Sequence, residues 1–331
     1  MTSPRFDVLC IGNAIVDVIA DTTDAFLAEQ GLDKGSMRLI DEGEAVRLYG
    51  LMGPGREVSG GSAGNTAAGL AALGVKTGFI GQVADDQLGK IYKHDIEASG
   101  VDFLVPARSD VGATARCLIL VTPDAQRTMN TFLGAAQMLE GKDVDMGWVA
   151  DAGIVYLEGY LWDPAEPRKA MEAAIDAAHA AGRQVAFTLS DSFCISRHRP
   201  DFLRLIDEKK IDILFANAAE IRELAGVDDF DGAVAAIAPK VPTLVVTRSE
   251  DGAVAVRGAE RASVPAEPIE RLVDTTGAGD LFAAGFLAGV AKGLSLEASL
   301  RLGAVAAGEV IQHYGARPET DLLALAGDLV A

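Results

Sequence analysis

The feature that most constrains the fold of this chain is the turn Asp274-Thr275-Thr276-Gly277-Ala278-Gly279-Asp280, which leads directly into an apolar run of mostly small residues from 281 to 290. This pattern predicts a strand end, a glycine-bearing turn and then a helix. The first amides of a helix have no partner inside it, and glycine lets the backbone approach a ligand closely, so this terminus is a natural anion cradle. Asp280 stands beside the cradle. An anion site with a base at its rim suits the transfer of a phosphoryl group to a hydroxyl.

Two other glycine-rich phosphate motifs fit this turn poorly. A dinucleotide fingerprint needs a small residue where Phe282 stands, and Glu297, the acid about twenty positions on, lies in a helix-start pattern instead of at a strand end. A P-loop does not fit, because no Gly-Lys-Ser/Thr follows the glycines. An acid in the first turn of a helix also occurs without function, since it interacts favourably with the helix dipole. Evidence from the rest of the chain is needed to tell a functional acid at Asp280 from one that only stabilises the helix.

Composition narrows the class of protein. The 331 residues are 49% apolar and carry a net charge of −19, which argues against nucleic acid or an anionic membrane as the main partner. The cysteines Cys10, Cys117 and Cys194 are far apart and the four histidines show no metal-binding spacing, so we expect reduced thiols, a cytoplasmic location and no caged transition metal. The apolar run 6–20 contains two aspartates and lacks a basic flank, which predicts a strand and not a signal peptide.

The order of apolar patterns predicts the fold class. Beyond residue 151, short apolar runs alternate with helical patterns of about 10 to 15 residues, one of them expected from Pro200 to Glu208. This alternation predicts an α/β fold with a mostly parallel, doubly wound sheet flanked by helices. Two stretches, 15–40 and 113–132, alternate like exposed strands and predict a small β flap, with Gly60-Gly61 as its hinge.

Ligands of doubly wound sheets bind beyond the carboxyl ends of the strands. Several polar or glycine positions follow predicted strand ends or the flap junction, so we expect one crevice to gather them. These positions are Asn13, Gly61, 188–193, Asn217 and Gly277.

Four segments in order carry a family resemblance. The segments are Gly12-Asn13-x-x-x-Asp17, Gly-Gly-x-x-x-Asn at 60–65, Asn-x-x-Glu at 217–220 and the turn at 274–280. Together they resemble the signatures of the ribokinase-type (PfkB) carbohydrate kinases and, within them, look most like adenosine kinases. The resemblance implies a ribokinase-like fold with a large catalytic domain (1–12, 61–112 and 134–331). A small β-sheet lid (13–60 and 113–133) would cover the substrate site.

The resemblance implies roles for residues at the reaction centre. Asp280 matches the family's catalytic aspartate and would accept the proton of the acceptor hydroxyl. The amides of Gly277, Ala278, Gly279 and Asp280 would hold the charge of the migrating phosphoryl group. Arg127 lies in the flap, and its positively charged guanidinium is expected to reach the phosphates when the flap closes. Its alternative role is that of a solvated arginine.

The acceptor site implied by the family pattern has two walls. On one wall, a carboxylate would accept hydrogen bonds from both hydroxyls of a ribose cis-diol. The residues expected on this wall are Asn13, Asp17, Gly61, Ser62 and Asn65. The residues expected to face an adenine on the other wall are Phe193 with Tyr160 or Leu161. For Asp17 the alternative is a solvent-facing edge position, and for each aromatic it is packing in the core.

The resemblance also implies an ATP site and ion sites. The residues expected at the nucleotide are Asn217, Glu220, Thr247, Gly252, Thr275, Gly277 and Gly279. Asn217 and Glu220 share a helix face and would order Mg²⁺ through water, although such a pair is otherwise an ordinary helix cap. Asp274 resembles the family's loop for a monovalent cation such as K⁺. At 247–252 the sequence departs from the family pattern Thr-x-Gly-x-x-Gly, because Ser249 replaces the first glycine.

The expected function is ATP-dependent phosphorylation of the 5′-hydroxyl of adenosine, as in purine salvage, by a monomer or homodimer. One alternative is a sugar kinase of the same family that acts on ribose or a ketohexose. The other is a non-catalytic regulator that binds a nucleotide or sugar. The intact Asp280 and glycine turn argue against this second alternative.

Overall fold

Two β-sheets organise the computed structural model of the chain, which describes residues 4–124 and 126–329. The strands are β1 (Phe6–Ile11), β2 (Ile15–Asp21), β3 (Met37–Leu39), β4 (Gly55–Gly60), β5 (Thr77–Ile80), β6 (Asp102–Phe103), β7 (Ala115–Val121), β8 (Arg127–Phe132), β9 (Ala152–Glu158), β10 (Gln184–Thr188), β11 (Ile213–Asn217), β12 (Thr243–Thr247), β13 (Ala253–Arg257) and β14 (Glu260–Val264).

Twelve α-helices are present in the described part of the chain. They are α1 (Asp24–Glu29), α2 (Glu42–Leu51), α3 (Ser62–Ala72), α4 (Gln87–Ala98), α5 (Met146–Ala150), α6 (Ala165–Ala180), α7 (Ser192–Asp207), α8 (Ala218–Ala225), α9 (Phe230–Ile237), α10 (Ala278–Ala291), α11 (Leu296–Val310) and α12 (Leu322–Ala326). Short 3₁₀ turns lie at Gly134–Met138, Gly141–Asp143, Gly159–Trp162, Ala238–Lys240, Ser249–Asp251 and Gly327–Leu329.

The larger sheet has nine strands in the order β14-β13-β12-β11-β10-β9-β1-β5-β6. Neighbouring strands from β12 to β6 pair in parallel, and only β13 and β14 add antiparallel pairs at one edge. Central strands such as β9 and β11 are continuously apolar over most of their length because helices cover both of their faces. This topology confirms the predicted mostly parallel, doubly wound α/β fold.

Strand β1 shows how the sheet separates two apolar cores. Val8 and Cys10 belong to the cluster that includes the buried faces of α3, α10 and α11. Leu9 and Ile11 belong to the cluster formed with α6, α7, α8 and α9. None of the helices in the described part of the chain combines the length and the apolar character that a membrane crossing requires.

The smaller sheet has five strands in the order β3-β8-β7-β2-β4. Helices α1 and α2 pack on one of its faces through Leu27 and Leu48, which cluster with Val16 and Leu118. Side chains alternate along a strand, so Ile15 and its neighbours two residues apart occupy the opposite face. The segment expected to contain only strands and turns thus also includes the helix α1. The division of the chain into a catalytic domain and a lid stays a prediction.

Helix α7 corrects one predicted boundary. It begins at Ser192, not at Pro200, and Pro200 lies inside it. The start is set by Asp191, whose side chain accepts a hydrogen bond from the amide of Cys194 at 2.6 Å. An aspartate cap of this kind is a strong local signal for a helix start, and it outweighs the proline further along.

Helices α10 and α11 pack closely enough to require glycines. A Cβ on Gly285 would collide with the backbone of Leu302 and Gly303, and a Cβ on Gly289 would collide with Ser299. Small residues at these positions thus let the backbones of the two helices approach each other closely. The small-residue run in the sequence is explained by this packing.

We expect Gly285→Ala to destabilise the protein by about 1–3 kcal/mol, the usual cost of overpacking a tight contact. Gly50→Ala is the matched control, because Gly50 is also helical but has open space where a Cβ would stand. The control should be neutral or stabilising by up to about 1 kcal/mol, since alanine favours helix. Urea unfolding of both variants measures the difference, and equal midpoints would contradict the packing argument.

Candidate active site

The first turn of α10 forms the predicted anion cradle. Gly277, which precedes it, has a φ of 79°, a left-handed conformation that favours glycine. A Cβ at this position would also collide with Ala316. No side chain among the described residues caps this terminus, and Gly279 is exposed. The amide dipoles at the start of the helix therefore face an accessible space, as an anion site requires.

The Asp280 carboxylate is held by the start of α3. Its Oδ1 accepts a hydrogen bond from Ser62 Oγ at 2.6 Å, and its Oδ2 accepts one from Asn65 Nδ2 at 2.9 Å. Burial raises the pKa of Asp280 above its ordinary value, while the bonds from Ser62 and Asn65 and the charge of Arg317 oppose this effect. The N-termini of α3 and α10 thus meet at one carboxylate that is more basic than a free aspartate.

Glu158 is a site residue that the sequence analysis missed. Its fully buried carboxylate accepts hydrogen bonds from the Asn13 amide at 2.7 Å, from Asn13 Nδ2 at 2.6 Å and from the Ala63 amide at 2.7 Å. Gly61, with a φ of 82°, sits against the Asn13 carbonyl, where no Cβ fits. Glu158 therefore fixes Asn13 and the start of α3 to the end of β9. A lone acid that ends an apolar strand was the available signal.

Asp17 lies on β2, with its carboxylate against the backbone of Gly60, where a Cβ would collide with it. Burial raises the pKa of Asp17 to about 7, and the nearby charge of Asp280 adds to this effect. The charges of Arg317 and Arg127 oppose it. Asp17 therefore shares its electrostatic surroundings with Asp280 and lies between β4 and β7 in the small sheet, so it is not a solvated edge residue.

Apolar side chains surround Asp17 on the same face of the small sheet. In the strand register Asp17 pairs with Cys117, Ile19 pairs with Ile119, and Ile119 pairs with Met129. We call this surface the apolar lid face. Its members are Ile15, Ile19, Cys117, Ile119, Val121 and Met129.

Arg127 joins the small sheet to the turn before α10. Its guanidinium pairs with the Asp274 carboxylate, donates to Thr276 Oγ1 at 2.9 Å and lies 5.7 Å from the centre of the Tyr314 ring. The side chains of Arg127 and Asp274 are only 9% and 4% exposed. Asp274 also accepts hydrogen bonds from the amides of Thr276 and Gly315. Protein groups thus already partner both oxygens of this carboxylate, and a monovalent cation at Asp274 stays a prediction.

Asn217 and Glu220 form a reciprocal helix cap. Asn217 donates to both carboxylate oxygens of Glu220, at 2.9 and 2.6 Å, and its own Oδ1 accepts from the Glu220 amide at 2.9 Å. Burial raises the pKa of Glu220 to about 7. Asn217 is exposed at the end of β11, and carboxylate oxygens keep free lone pairs beside such bonds. These features fit Mg²⁺ held through water better than direct ligation.

The turn after β12 keeps a glycine-like shape without the first glycine. Ser249 has a φ of 50°, in the left-handed region that a serine seldom adopts. Gly252, with a φ of 81°, lies against the carbonyl of Val264. Thr247 pairs with Asn217 in the sheet, which brings this turn beside the Asn-x-x-Glu cap. Ser249 therefore adopts a left-handed backbone conformation that costs about 1–3 kcal/mol, and the turn keeps the shape that a glycine would give it.

The residues expected at a base occupy different environments. Phe193 is 73% exposed at the start of α7. Tyr160 is partly buried, and its hydroxyl donates to the carbonyl of Ser190 at 3.3 Å. Leu161 is fully buried in the core cluster that contains Trp162. The structure therefore corrects the prediction that named Leu161 as an alternative to Tyr160, because the 3₁₀ turn after β9 directs Leu161 into the core.

Direct contacts link some of the predicted site residues into two groups. One group joins Asp280, Ser62, Asn65, Gly61 and Asn13 through hydrogen bonds and the shared partner Glu158. The other joins Arg127, Asp274 and Thr276 directly before Gly277. Thr275 is exposed in the same turn. The cap at Asn217 and the turn at Thr247 form a separate pair of neighbours, and Phe193 stands apart.

Comparison with known proteins finds a family match over nearly the whole chain. The model of the pfkB family carbohydrate kinases matches residues 6–322. The crystal structure of adenosine kinase from Sinorhizobium meliloti is 51% identical, with a TM-score of 0.91 over 97% of this chain and 98% of that one. The crystal structure of a probable sugar kinase from Rhizobium etli is 50% identical, with a TM-score of 0.92 over 98% of each chain. Adenosine kinase of Saccharomyces cerevisiae is 28% identical over 95% of this chain and 96% of its own length.

We expect Glu158→Gln to destabilise the protein by about 1–3 kcal/mol, because an amide nitrogen would then face N–H donors that the carboxylate now satisfies. Glu166→Gln is the control, since Glu166 is a half-exposed acid on a helix surface. Chemical unfolding in urea compares the two variants. If Glu158→Gln were no less stable than Glu166→Gln, the positioning role of Glu158 would be refuted.

Proposed function

The chain belongs to the pfkB family of carbohydrate kinases, which makes it a phosphotransferase with an alcohol acceptor, and from this premise we propose that its acceptor is adenosine. The reaction would move the γ-phosphoryl group of ATP to the 5′-hydroxyl of adenosine and release AMP and ADP. One observation carries the choice of acceptor, namely that Asp17 lies within the apolar lid face.

This juxtaposition suits a molecule that is polar at one end and flat and apolar at the other. The Asp17 carboxylate can accept hydrogen bonds from two neighbouring ribose hydroxyls. The apolar lid face beside it can cover a purine base and remove its surface from water. A free sugar would use the carboxylate but would not cover the half-buried members of this face, which are Ile15, Ile19 and Met129.

In the proposed reaction Asp280 acts as the general base. The raised pKa makes its carboxylate a better proton acceptor than a free aspartate. Hydrogen bonds from Ser62 and Asn65 fix the carboxylate beside the first turn of α10. The outward-facing amides of that turn, from Gly277 to Asp280, stabilise charge on the migrating group. Removing one positioned donor of this type typically costs about 3–4 kcal/mol of transition-state stabilisation.

The cations of the site complete the proposal. Arg127 already lies beside Thr276, so its guanidinium can share its donors between Asp274 and a phosphate that arrives at the turn. Mg²⁺, held through water by Asn217 and Glu220, would neutralise charge on the phosphates when bound. The turn from Thr247 to Gly252 would lie against the nucleotide.

A sugar kinase is the second candidate, and the similarity to the Rhizobium etli probable sugar kinase favours it. A panel of acceptors decides between the two. Adenosine, other nucleosides, ribose and fructose are compared by kcat/KM at saturating ATP and Mg²⁺. A value for ribose or fructose ten times that of adenosine would overturn the adenosine proposal. Tight ligand binding without turnover on any acceptor would identify a non-catalytic regulator.

Asp280→Asn should lower kcat by at least about 10²-fold, on the usual scale for loss of a general base, and leave adenosine binding largely intact. Glu297→Gln is the matched control, because Glu297 is an exposed acid in the first turn of the neighbouring helix α11. The control should keep wild-type kcat. Near-wild-type turnover of Asp280→Asn in a coupled ADP-release assay would remove Asp280 from its proposed role.

Adenosine binding should weaken as the pH falls below about 7. The pKa of Asp17 is raised to about 7, so acid protonates the carboxylate and removes its ability to accept from both ribose hydroxyls. The dissociation constant should rise toward tenfold for each pH unit below the pKa, as proton linkage requires.

Calorimetric titration of adenosine between pH 5.5 and 8.5 measures this dependence without turnover. The Asp17→Asn variant should bind weakly and lose most of the pH dependence. If this variant retained the wild-type pH profile, another group would be responsible for it.

A further inference from the structure

Arg317, in the segment that follows α11, contacts the predicted hinge of the small sheet. Its Nε donates to the carbonyl of Ser59 at 3.0 Å, and its Nη2 donates to Ser59 Oγ at 2.9 Å. Its Nη1 donates to the carbonyl of Gly64 at 2.6 Å. Ser59 belongs to β4, directly before the Gly60-Gly61 hinge, whereas Gly64 lies in the first turn of α3.

Gly64 stands between the two residues that hold the catalytic carboxylate, Ser62 and Asn65. The guanidinium therefore braces the helical turn that orients Asp280 against the last residues of a strand in the small sheet. Three N–H groups directed at three oxygen atoms make use of the rigid fork of arginine, which the single ammonium group of lysine does not reproduce.

Arg317 also places a positive charge near the carboxylates of Asp17 and Asp280. Its charge opposes the effect of burial on the pKa of Asp17, and it does the same for Asp280. Ordered by element, the titratable and charged groups around this centre are Asp17 on β2, Tyr92 and Asp95 on α4, Arg127 on β8, Tyr156 and Glu158 on β9, Asp274 in the turn, and Asp280 on α10.

We propose that Arg317 is a positioning residue for the reaction, which braces the hinge at Ser59 against the first turn of α3 and places one positive charge near both Asp17 and Asp280. This proposal rests on the proposed function. The hydrogen bonds fix the turn of α3 that holds Asp280, and the charge opposes the rise that burial causes in the pKa of both carboxylates. Arg317 does not touch the reacting atoms and acts through Ser62, Asn65 and Asp280.

Two substitutions separate the effect of the positive charge of Arg317 from the effect of its forked hydrogen bonds. Arg317→Gln removes both, and Arg317→Lys keeps the charge. For Arg317→Gln we expect kcat/KM for adenosine to fall at least tenfold and the acid limb of its pH profile to move upward by at least half a pH unit. Arg317→Lys should also have a lower kcat/KM than the wild type, but its acid limb should move less than that of Arg317→Gln.

Arg199→Gln is the matched control, because Arg199 also donates to two main-chain carbonyls, those of Glu223 and Leu224, but lies away from the site. This variant should lose stability without moving the acid limb. An acid limb of Arg317→Gln that superimposes on the wild-type profile, in a protein whose circular dichroism shows it to be folded, would overturn the proposal.

A titration without turnover separates this proposal from the proposed function. The side-chain carboxyl signals of ¹³C-labelled aspartates, assigned with the Asp17→Asn and Asp280→Asn variants, report the two pKa values directly. An inactive wild-type protein would refute the proposed function, whereas Arg317→Gln would still have to raise both pKa values. Unchanged values in Arg317→Gln would refute the role of Arg317.

Discussion

The site depends on holding several buried or half-buried carboxylates in place. Burial raises the pKa of each of four acids around the crevice, namely Asp17, Glu158, Glu220 and Asp280. Removing a carboxylate from water is costly unless donors or opposite charges replace the lost solvation. The chain supplies main-chain amides and amide side chains to Glu158 and Glu220, and a hydroxyl and an amide to Asp280. Asp17 has mainly the charge of two arginines to offset its burial.

This need for compensation explains why the two sheets are joined through polar groups as well as through an apolar core. Arg127 reaches from the small sheet to Asp274 in the turn before α10, and Arg317 reaches from the segment after α11 to Ser59 in the small sheet. The net charge of −19 makes each of these cations locally important. Because both arginines touch backbone or side chains at a glycine-bearing junction, a change in the angle of the small sheet would also change the electrostatic surroundings of Asp17 and Asp280.

Sequence patterns predicted the parts of the site that are encoded locally. The turn at Gly277, the helix behind it and Asp280 lie within a few residues of one another, and strand-helix alternation was enough to predict the large sheet. Glu158 and Arg317 escaped prediction because the residues that they contact are 145 and 258 positions away, so no spacing reveals them. The prediction for Leu161 failed for a different reason. The family pattern indicated only the region of the base wall, and the 3₁₀ turn after β9 places Leu161 in the core.

The Arg127–Asp274 pair shows how the arrangement can respond to a nucleotide. A nearly buried ion pair contributes little net stability, but removing either partner leaves a costly unpaired charge. A phosphate at the first turn of α10 would add negative charge beside this pair, and arginine has five donors with which to serve both anions. The guanidinium would therefore not have to leave Asp274 in order to bind phosphate. Since Arg127 belongs to the small sheet, the shared interaction would hold that sheet to the turn before α10 whenever a phosphate is present.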